Sequence, residues 1–491
     1  MGECSIMSRE NLHAISKRIQ QKFHPGIWII VGIFTLLGVI FGPTTFTSLA
    51  ATGDWPTFMY QDSHTGYNSS ETIINPSTAP NLKVHWVHTA AGIISSQPVV
   101  ANGLVYWGSW DGYEHATNNN NAKVWATNIG TTFSNCSFSH VGVAGAATIA
   151  TVPINGTPTS VDFVGGGNAN FYALNALNGN ILWHTSLGSS PTHFIWGAPS
   201  VYNGSVYIGM ASYGDCPLVQ GQLIQLNAST GSIQHVFNVV PNGSIGGSVW
   251  GAPTIDESNG TIFFATGNCT GSPCPSSLPF ADAVIEVHAS DLSLVGYWQV
   301  PTNEQLFDTD FGNTPTLFTA TLNGTQTPMV GVANKNGTFY AFKRDSFNSS
   351  GTGNPIWRAK LAIGGSCPEC GQGSISGAAW DGTNLYIAGG NTSINGSNCK
   401  GSLRKTDPAT GTFVWSHCMF AGPVLGAVTA VNGVVVVGEG TYVIVVNAST
   451  SATIFRFNDT NSGSTFFASS SISNGMMYLG NADGHLYAFG L

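Results

Sequence analysis

Cysteine is the residue type whose number and spacing first suggest chemistry. The chain has nine, and Cys4 precedes an apolar stretch, leaving Cys136, Cys216, Cys269, Cys274, Cys367, Cys370, Cys399 and Cys418 as an even set. In an oxidising compartment such a set forms disulfides. Cys269 with Cys274 and Cys367 with Cys370 are close enough to close local loops, while the pairing of the other four stays open. A zinc site built on Cys367-Pro-Glu-Cys370 needs a second pair at metal spacing, and none follows. No Cys-x-x-Cys-His occurs, so no covalently attached haem is expected. Asn268-Cys-Thr and Asn336-Gly-Thr belong to a set of Asn-x-Ser/Thr triplets, formal acceptors for N-glycosylation in an exported glycoprotein. A sugar at either of these two would exclude a buried ligand beside it.

The compartment is indicated by the amino terminus. Arg9, Lys17, Arg18 and Lys22 precede the uncharged stretch Gly26–Gly42, which is followed by Ser48, Leu49, Ala50 and Ala51. This pattern reads as an export signal over residues 1–50, either cleaved after Ala50 or retained as a short transmembrane anchor. Both alternatives place residues 51–491 outside the cytoplasm, secreted or held to the membrane only by this segment. Composition narrows the class further. With 42% hydrophobic and 11% aromatic residues and only 8% charged ones, the chain can bury a large core and is not a disordered polymer. The net charge of -9 argues against a nucleic-acid partner.

A repeat organises the exported part. Each unit has a Gly/Ala-Pro opening, an apolar strand, an Asn-Gly or Asp-Gly turn, a Tyr-rich strand, a Thr-Gly turn and an aromatic strand. Gly197-Ala-Pro resembles Gly251-Ala-Pro, and Gly484-His-Leu-Tyr-Ala-Phe resembles Gly337-Thr-Phe-Tyr-Ala-Phe. The closing aromatics are Trp86, Trp125, Trp183, Phe237, Trp298, Trp357, Trp415 and Phe455, which predicts an all-β, eight-bladed β-propeller of four-stranded antiparallel blades. The last unit stops at Leu491 without its outer strand. The orphan strand around Trp86 has the form of that missing strand, so pairing of the two chain ends is expected to close the ring and cover both edges.

Asp54-Trp-Pro-Thr-Phe-Met-Tyr-Gln-Asp-Ser-His-Thr-Gly-Tyr67, Trp107-Gly-Ser-Trp-Asp-Gly112 and the repeat together resemble the pyrroloquinoline-quinone (PQQ) propeller superfamily, in particular the branch of polyvinyl-alcohol dehydrogenases. The likeness runs from about Asp54 to Leu491. Cofactor-free scaffold propellers share the repeat, so the residues at the ring centre carry the functional content of the likeness. The run from Trp250 to Asn268 is similar to the family stretch with a stacking tryptophan and, at its final asparagine, a calcium ligand. Asp282 matches the place of the catalytic aspartate and Lys335 that of the basic residue contacting the quinone. Asp308-Thr-Asp-Phe-Gly-Asn-Thr-Pro315 also resembles the family. Where the family has a metal-binding glutamate, this chain offers Asp215 as the nearest carboxylate.

The resemblance implies a PQQ- and calcium-dependent dehydrogenase of a small or polymeric alcohol that passes electrons to a separate acceptor. Asp282 is the expected base, Trp250 and Lys335 the cofactor contacts, and Asn268, Asp282 and Asp215 the metal ligands. A planar quinone stacks on an indole face, and a hard cation collects carboxylate and amide oxygens. A non-catalytic propeller that binds partners through its face is the alternative. Trp-Gly-Ala-Pro recurs at Trp196, so Trp250 also fits an ordinary repeat position.

Overall fold

A computed structural model describes residues 53–134, 137–215, 217–460 and 463–491. The expected export segment and Cys4, Cys136 and Cys216 lie outside them. The fold is the predicted eight-bladed propeller. Blade 1 comprises Val99–Ala101, Leu104–Gly108, Tyr113–Asn118 and Lys123–Asn128, paired in that order, and the same meander recurs around the ring. Blade 4 runs through Thr254–Asp256, Thr261–Ala265, Ala283–His288 and Leu294–Gln299, and blade 5 through Thr316–Leu322, Thr325–Ala333, Thr338–Lys343 and Trp357–Lys360.

Each repeat ends in an aromatic residue because that side chain reaches into the next blade. Trp125 donates its indole N–H to the Ala176 carbonyl at 2.8 Å, Trp183 to Ala228 at 3.1 Å, Trp357 to Pro408 at 2.9 Å and Trp415 to Ala448 at 3.0 Å. The glycine of the receiving turn makes room for the ring. A Cβ on Gly179 would lie 2.7 Å from Trp125, and one on Gly231 only 2.4 Å from Trp183. Both glycines also have positive φ, 73° and 72°, so the turn needs glycine for conformation and clearance together. Each such bond contributes about 1 kcal/mol net, and the ring buries apolar area besides.

The chain ends close the ring. Lys83–Thr89 pairs antiparallel with His485–Gly490, Lys83 opposite Gly490 and Thr89 opposite His485. Blade 8 is thus built from both ends of the described chain, with Lys83–Thr89 as the outer strand that covers the edge of His485–Gly490.

A second closure comes from residues 54–68, which thread across the channel and bond to every blade. Trp55 exchanges backbone hydrogen bonds with Val100, and the carbonyls of Pro56, Asp62, Ser63, Thr65 and Gly66 accept from Ile149, Ile255, Leu317, Trp380 and Ala430. The Asp62 carboxyl receives the backbone of Val201, and Asn68 donates to the Ile472 carbonyl at 3.0 Å. These eight partners stand at equivalent places on the eight inner strands, so the segment forms a belt. Positive φ at Met59, Tyr60 and His64 supplies its bends. His64 is fully buried with Nδ1 2.9 Å from Thr254 Oγ1, and burial lowers its pKa to about 3. The ring therefore stays neutral.

Candidate functional site

The loops that lead into successive inner strands, together with those joining the two middle strands of a blade, surround a cavity of about 730 Å³ at one end of the channel. The belt contributes Phe58 to its wall. Trp110 and Trp196 form an apolar side, their ring centroids 6.3 Å apart in an edge-to-face arrangement. Their N–H groups are turned into the protein, toward Ser95 Oγ at 2.8 Å and the Ser212 carbonyl at 2.9 Å.

The polar side gathers residues from blades 3, 4 and 5. Trp250, Asn268, Asp310, Lys335 and Asp215 all line the cavity. Lys335 occupies the tight turn between Ala333 and Thr338, and its backbone N–H donates to the Asp310 carbonyl at 2.9 Å. Its Nζ lies 2.7 Å from Asp310 Oδ1 and 3.2 Å from Asp308 Oδ1, and 5.1 Å from the centroid of Trp250. Burial opposes the ammonium charge, yet the two carboxylates outweigh it and hold the lysine pKa above its ordinary value. The ammonium is therefore permanent at neutral pH. It sits within cation–π range of an indole that packs on Gly312, where a Cβ would come within 2.1 Å of the ring.

Around this cation the carboxylates repel one another. Asp308 is raised to about 6 by burial, with Lys335 opposing the shift and Asp310 and Asp215 adding to it. Asp215 is raised as well, by loss of hydration and by Asp310, while Lys335 and a hydrogen bond with Asn268 pull it down. Asp310 Oδ2 also accepts the backbone N–H of Asn268 at 3.2 Å, which fixes the blade-4 and blade-5 loops against each other. Two carboxylates and an amide oxygen on one wall form an all-oxygen donor set. That set suits a hard divalent cation, whose charge would relieve the repulsion among the acids.

Four of the five residues expected from sequence therefore meet at the cavity: Trp250, Asn268, Lys335 and Asp215. Asp282 stands apart. It immediately precedes the strand Ala283–His288, has φ 49°, is buried, and accepts from Asn334 Nδ2 at 3.0 Å behind the cavity wall. Burial first, and then the charge of Asp310, raise its pKa well above the carboxylate range against the pull of Asn334 and Lys335. The wall position belongs instead to Asp310, to which sequence reading gave no role. Its place was legible in one respect. Asp310 stands just before the Gly-Asn-Thr-Pro opening of blade 5, as Trp250 stands before Gly-Ala-Pro of blade 4, and such loops face the axis.

The triplets suggested for glycosylation are resolved by burial at one position. Asn336 is buried and donates to the Tyr340 hydroxyl at 2.7 Å, so its amide is not presented to solvent. Disulfides join Cys269 to Cys274 and Cys367 to Cys370, as the local spacing predicted, and Cys399 to Cys418, a pairing the sequence left open.

Comparison with known proteins agrees with this architecture. A family model described as "Outer membrane protein assembly factor BamB" matches residues 114–272 and 335–490, and one described as "Glucose/ethanol/alcohol dehydrogenase, beta-propeller domain" matches residues 227–362. The chain belongs to the PQQ propeller superfamily, the superfamily of the PQQ-dependent dehydrogenases. It is 25% identical over 418 residues to a polyvinylalcohol dehydrogenase of a Pseudomonas species, covering 74% of this chain and 61% of that protein. A polyvinylalcohol dehydrogenase of Sphingopyxis sp. (strain 113P3) is 23% identical over 364 residues, 65% of this chain and 52% of the relative. The matched region thus spans little more than half of these relatives. The quinohemoprotein alcohol dehydrogenase of Comamonas testosteroni shares the fold with a TM-score of 0.69 at 18% identity, over 90% of this chain and 81% of the other.

Proposed function

We propose that this protein is an extracytoplasmic, quinone-dependent dehydrogenase that oxidises an alcohol and passes the electrons to a separate acceptor. The observation that carries the reading is the convergence of Trp250, Lys335, Asp310, Asn268 and Asp215 on one cavity. A propeller that served only as a scaffold would have no need to bury a lysine between two aspartates. The relatives named polyvinylalcohol dehydrogenase support the reaction class, and the disulfides support an oxidising compartment.

The residues fit both expected groups. Trp250 and Lys335 would contact PQQ, and Asn268, Asp215 and Asp310 would hold calcium. When bound, the quinone supplies a two-electron acceptor for hydride and the cation stabilises negative charge. Lys335 provides a fixed positive charge, and because Asp308 and Asp310 already position it, little reorganisation is needed when charge develops nearby. Of the two carboxylates on that wall Asp310 is the one paired with Lys335, and we assign it as the base for the alcohol hydroxyl proton. Asp282, buried behind it with its pKa raised by that burial, acts through Asn334 on the Lys335 turn. The Trp110–Trp196 side excludes water and offers apolar surface to the carbon skeleton of the substrate.

Dye-linked alcohol oxidation by protein supplied with PQQ and calcium tests this reading. Turnover abolished by Asp310→Asn supports it; no turnover of any alcohol by the wild type would leave a partner-binding propeller.

A further inference from the structure

The loop between Leu361 and Ile375 is braced on the Lys335 turn. Gly365 donates its N–H to the Lys335 carbonyl at 3.0 Å, and Leu361 donates to the Gly337 carbonyl at 2.8 Å. The contact is closer than any side chain would permit. A Cβ on Gly373 would stand 2.2 Å from the Lys335 carbonyl oxygen, and one on Gly364 would stand 2.5 Å from that of Asn336. At the far end of the loop Ile375 lines the cavity and, with the Trp250 indole, flanks Gly312. The order of this loop therefore bears directly on where Lys335 and Trp250 sit.

The Cys367–Cys370 disulfide closes the tip of the loop. Around it Cys370 and Gln372 donate their backbone N–H groups to the Cys367 carbonyl, both at 3.0 Å, and the Gln372 side chain accepts from the Cys367 N–H. The three described disulfides differ in access. Cys269 and Cys274 are both buried, and in the third bond Cys399 is buried and Cys418 half-buried, whereas Cys370 is exposed and Cys367 half-buried. Thiol–disulfide exchange requires a thiolate to reach a sulfur, so access decides which bond exchanges first.

We propose that Cys367–Cys370 is a thiol–disulfide exchange site that couples the surrounding dithiol poise to the order of the Lys335 turn. A dithiol reductant, small or carried by a Cys-x-x-Cys protein, attacks Sγ of Cys370, the exposed residue of the pair, through one thiolate. The Cys367–Cys370 bond breaks, and Cys367 leaves as a thiolate that takes a proton. The second thiol of the reductant, deprotonated, then attacks its own sulfur in the mixed disulfide, releasing Cys370, which is protonated in turn. Two electrons and two protons pass from the reductant, which ends as a disulfide, to the protein, which ends with two thiols. Freed of its clasp, the loop tip holds the Gly365–Lys335 and Gly373–Lys335 contacts less tightly. The oxidised protein has the ordered cavity and the reduced protein a loosened one.

The test uses the full chain without added cofactor and is independent of dehydrogenase activity. Dithiothreitol is added under native conditions, thiols are trapped by alkylation over time, and peptides are read by mass spectrometry alongside amide hydrogen exchange. Cys367 and Cys370 should be alkylated at least about ten-fold faster than the buried pair Cys269 and Cys274, and ahead of Cys399 and the half-buried Cys418, as expected from their order of access. At that stage exchange at residues 334–337 should accelerate while the outer strands of blades 1 and 2 stay protected. The Cys367→Ser/Cys370→Ser double variant should show the same exchange pattern without reductant. Reduction of all three disulfides at one rate, or selective reduction that leaves residues 334–337 unchanged, would overturn the proposal. Where the double variant fails to fold, the native reduction experiment decides alone.

Discussion

Lys335 Nζ meets Asp310 Oδ1 at 2.7 Å, and this ion pair ties the loop leading into blade 5 to the turn between that blade's middle strands. Both partners are almost wholly buried, so neither is a solvated surface charge. Truncating one member leaves the other buried and less compensated, which is costly in a low-dielectric wall. The pair thus serves as a structural element of the site before any ligand binds.

The two candidate bases can be separated by mutation. Asp310→Asn should lower the turnover of protein loaded with PQQ and calcium by about 10² to 10⁴, the usual cost of removing a positioned base. Asp282→Asn preserves the hydrogen-bonding shape behind the wall and should cost far less. Steady-state kcat for both variants checks this, and the opposite order would return the base role to Asp282.

Lys335→Ala and Trp250→Ala should both weaken quinone binding with little change in global fold. The lysine variant removes a desolvated charge and the tryptophan variant removes the stacking face, a loss of about 1–2 kcal/mol or roughly ten-fold in Kd each. Absorbance titration with PQQ measures the change. Trp110→Ala, on the other side of the cavity, should act on alcohol KM instead.

Ring closure predicts a different failure. A chain beginning after Thr89 lacks the belt as well as the strand that covers blade 8, leaving an open edge and an open channel floor. It should aggregate, whereas a chain beginning at Gly53 should remain soluble with an unchanged Tm. Size-exclusion chromatography and thermal unfolding distinguish the two. A soluble, equally stable product starting at Ala90 would contradict the closure.

The propeller was legible because its packing rule repeats: each of these closing tryptophans docks on a tight turn of the next blade, with glycine under Trp125, Trp183 and Trp357 and Ser451 at the positive-φ place under Trp415, so their spacing carries the architecture. Ring closure was legible for the same reason, as a strand missing at one end and unassigned at the other. The belt was not. Residues 54–68 reach six of the eight strands through their backbone atoms and the other two through the Asp62 and Asn68 side chains, and such bonding leaves no periodicity in side-chain type. Trp250, Asn268, Lys335 and Asp215 were reached through family motifs and do converge. Asp282 was expected beside them as the match to the family's catalytic aspartate, but it is buried against Asn334, and Asp310 lines the cavity. The Cys399–Cys418 pairing depends on the hairpin Thr392–Ile394/Ser397–Cys399 meeting the outer strand of blade 6, a contact that spacing alone does not encode.

Buried carboxylates away from the cavity set a pH dependence of stability. Glu114 and Asp162 are fully buried, and none of their four carboxylate oxygens has a hydrogen-bond partner. Burial raises the pKa of Asp162 to about 8, and that of Glu114 well above its usual value with Asp162 adding to the shift. The folded state therefore keeps protons that the unfolded chain releases near pH 4. Stability is fully present below that pH and falls as pH rises toward about 8. Asp162→Asn should remove part of this fall, stabilising the protein at pH 8 by at least about 1 kcal/mol relative to its effect at pH 4. Denaturant unfolding at the two pH values measures it; an equal effect at both would contradict the assignment.

The central claim is that the cavity holds a quinone beside a hard cation. Equilibrium binding of PQQ to the purified protein, with and without calcium and followed by absorbance of the bound chromophore, tests it most directly. The account predicts saturable binding at one site per chain, strengthened by calcium and weakened by both Lys335→Ala and Asn268→Ala. A wild-type protein that binds no chromophore, or one whose binding is indifferent to calcium and to both substitutions, would contradict it.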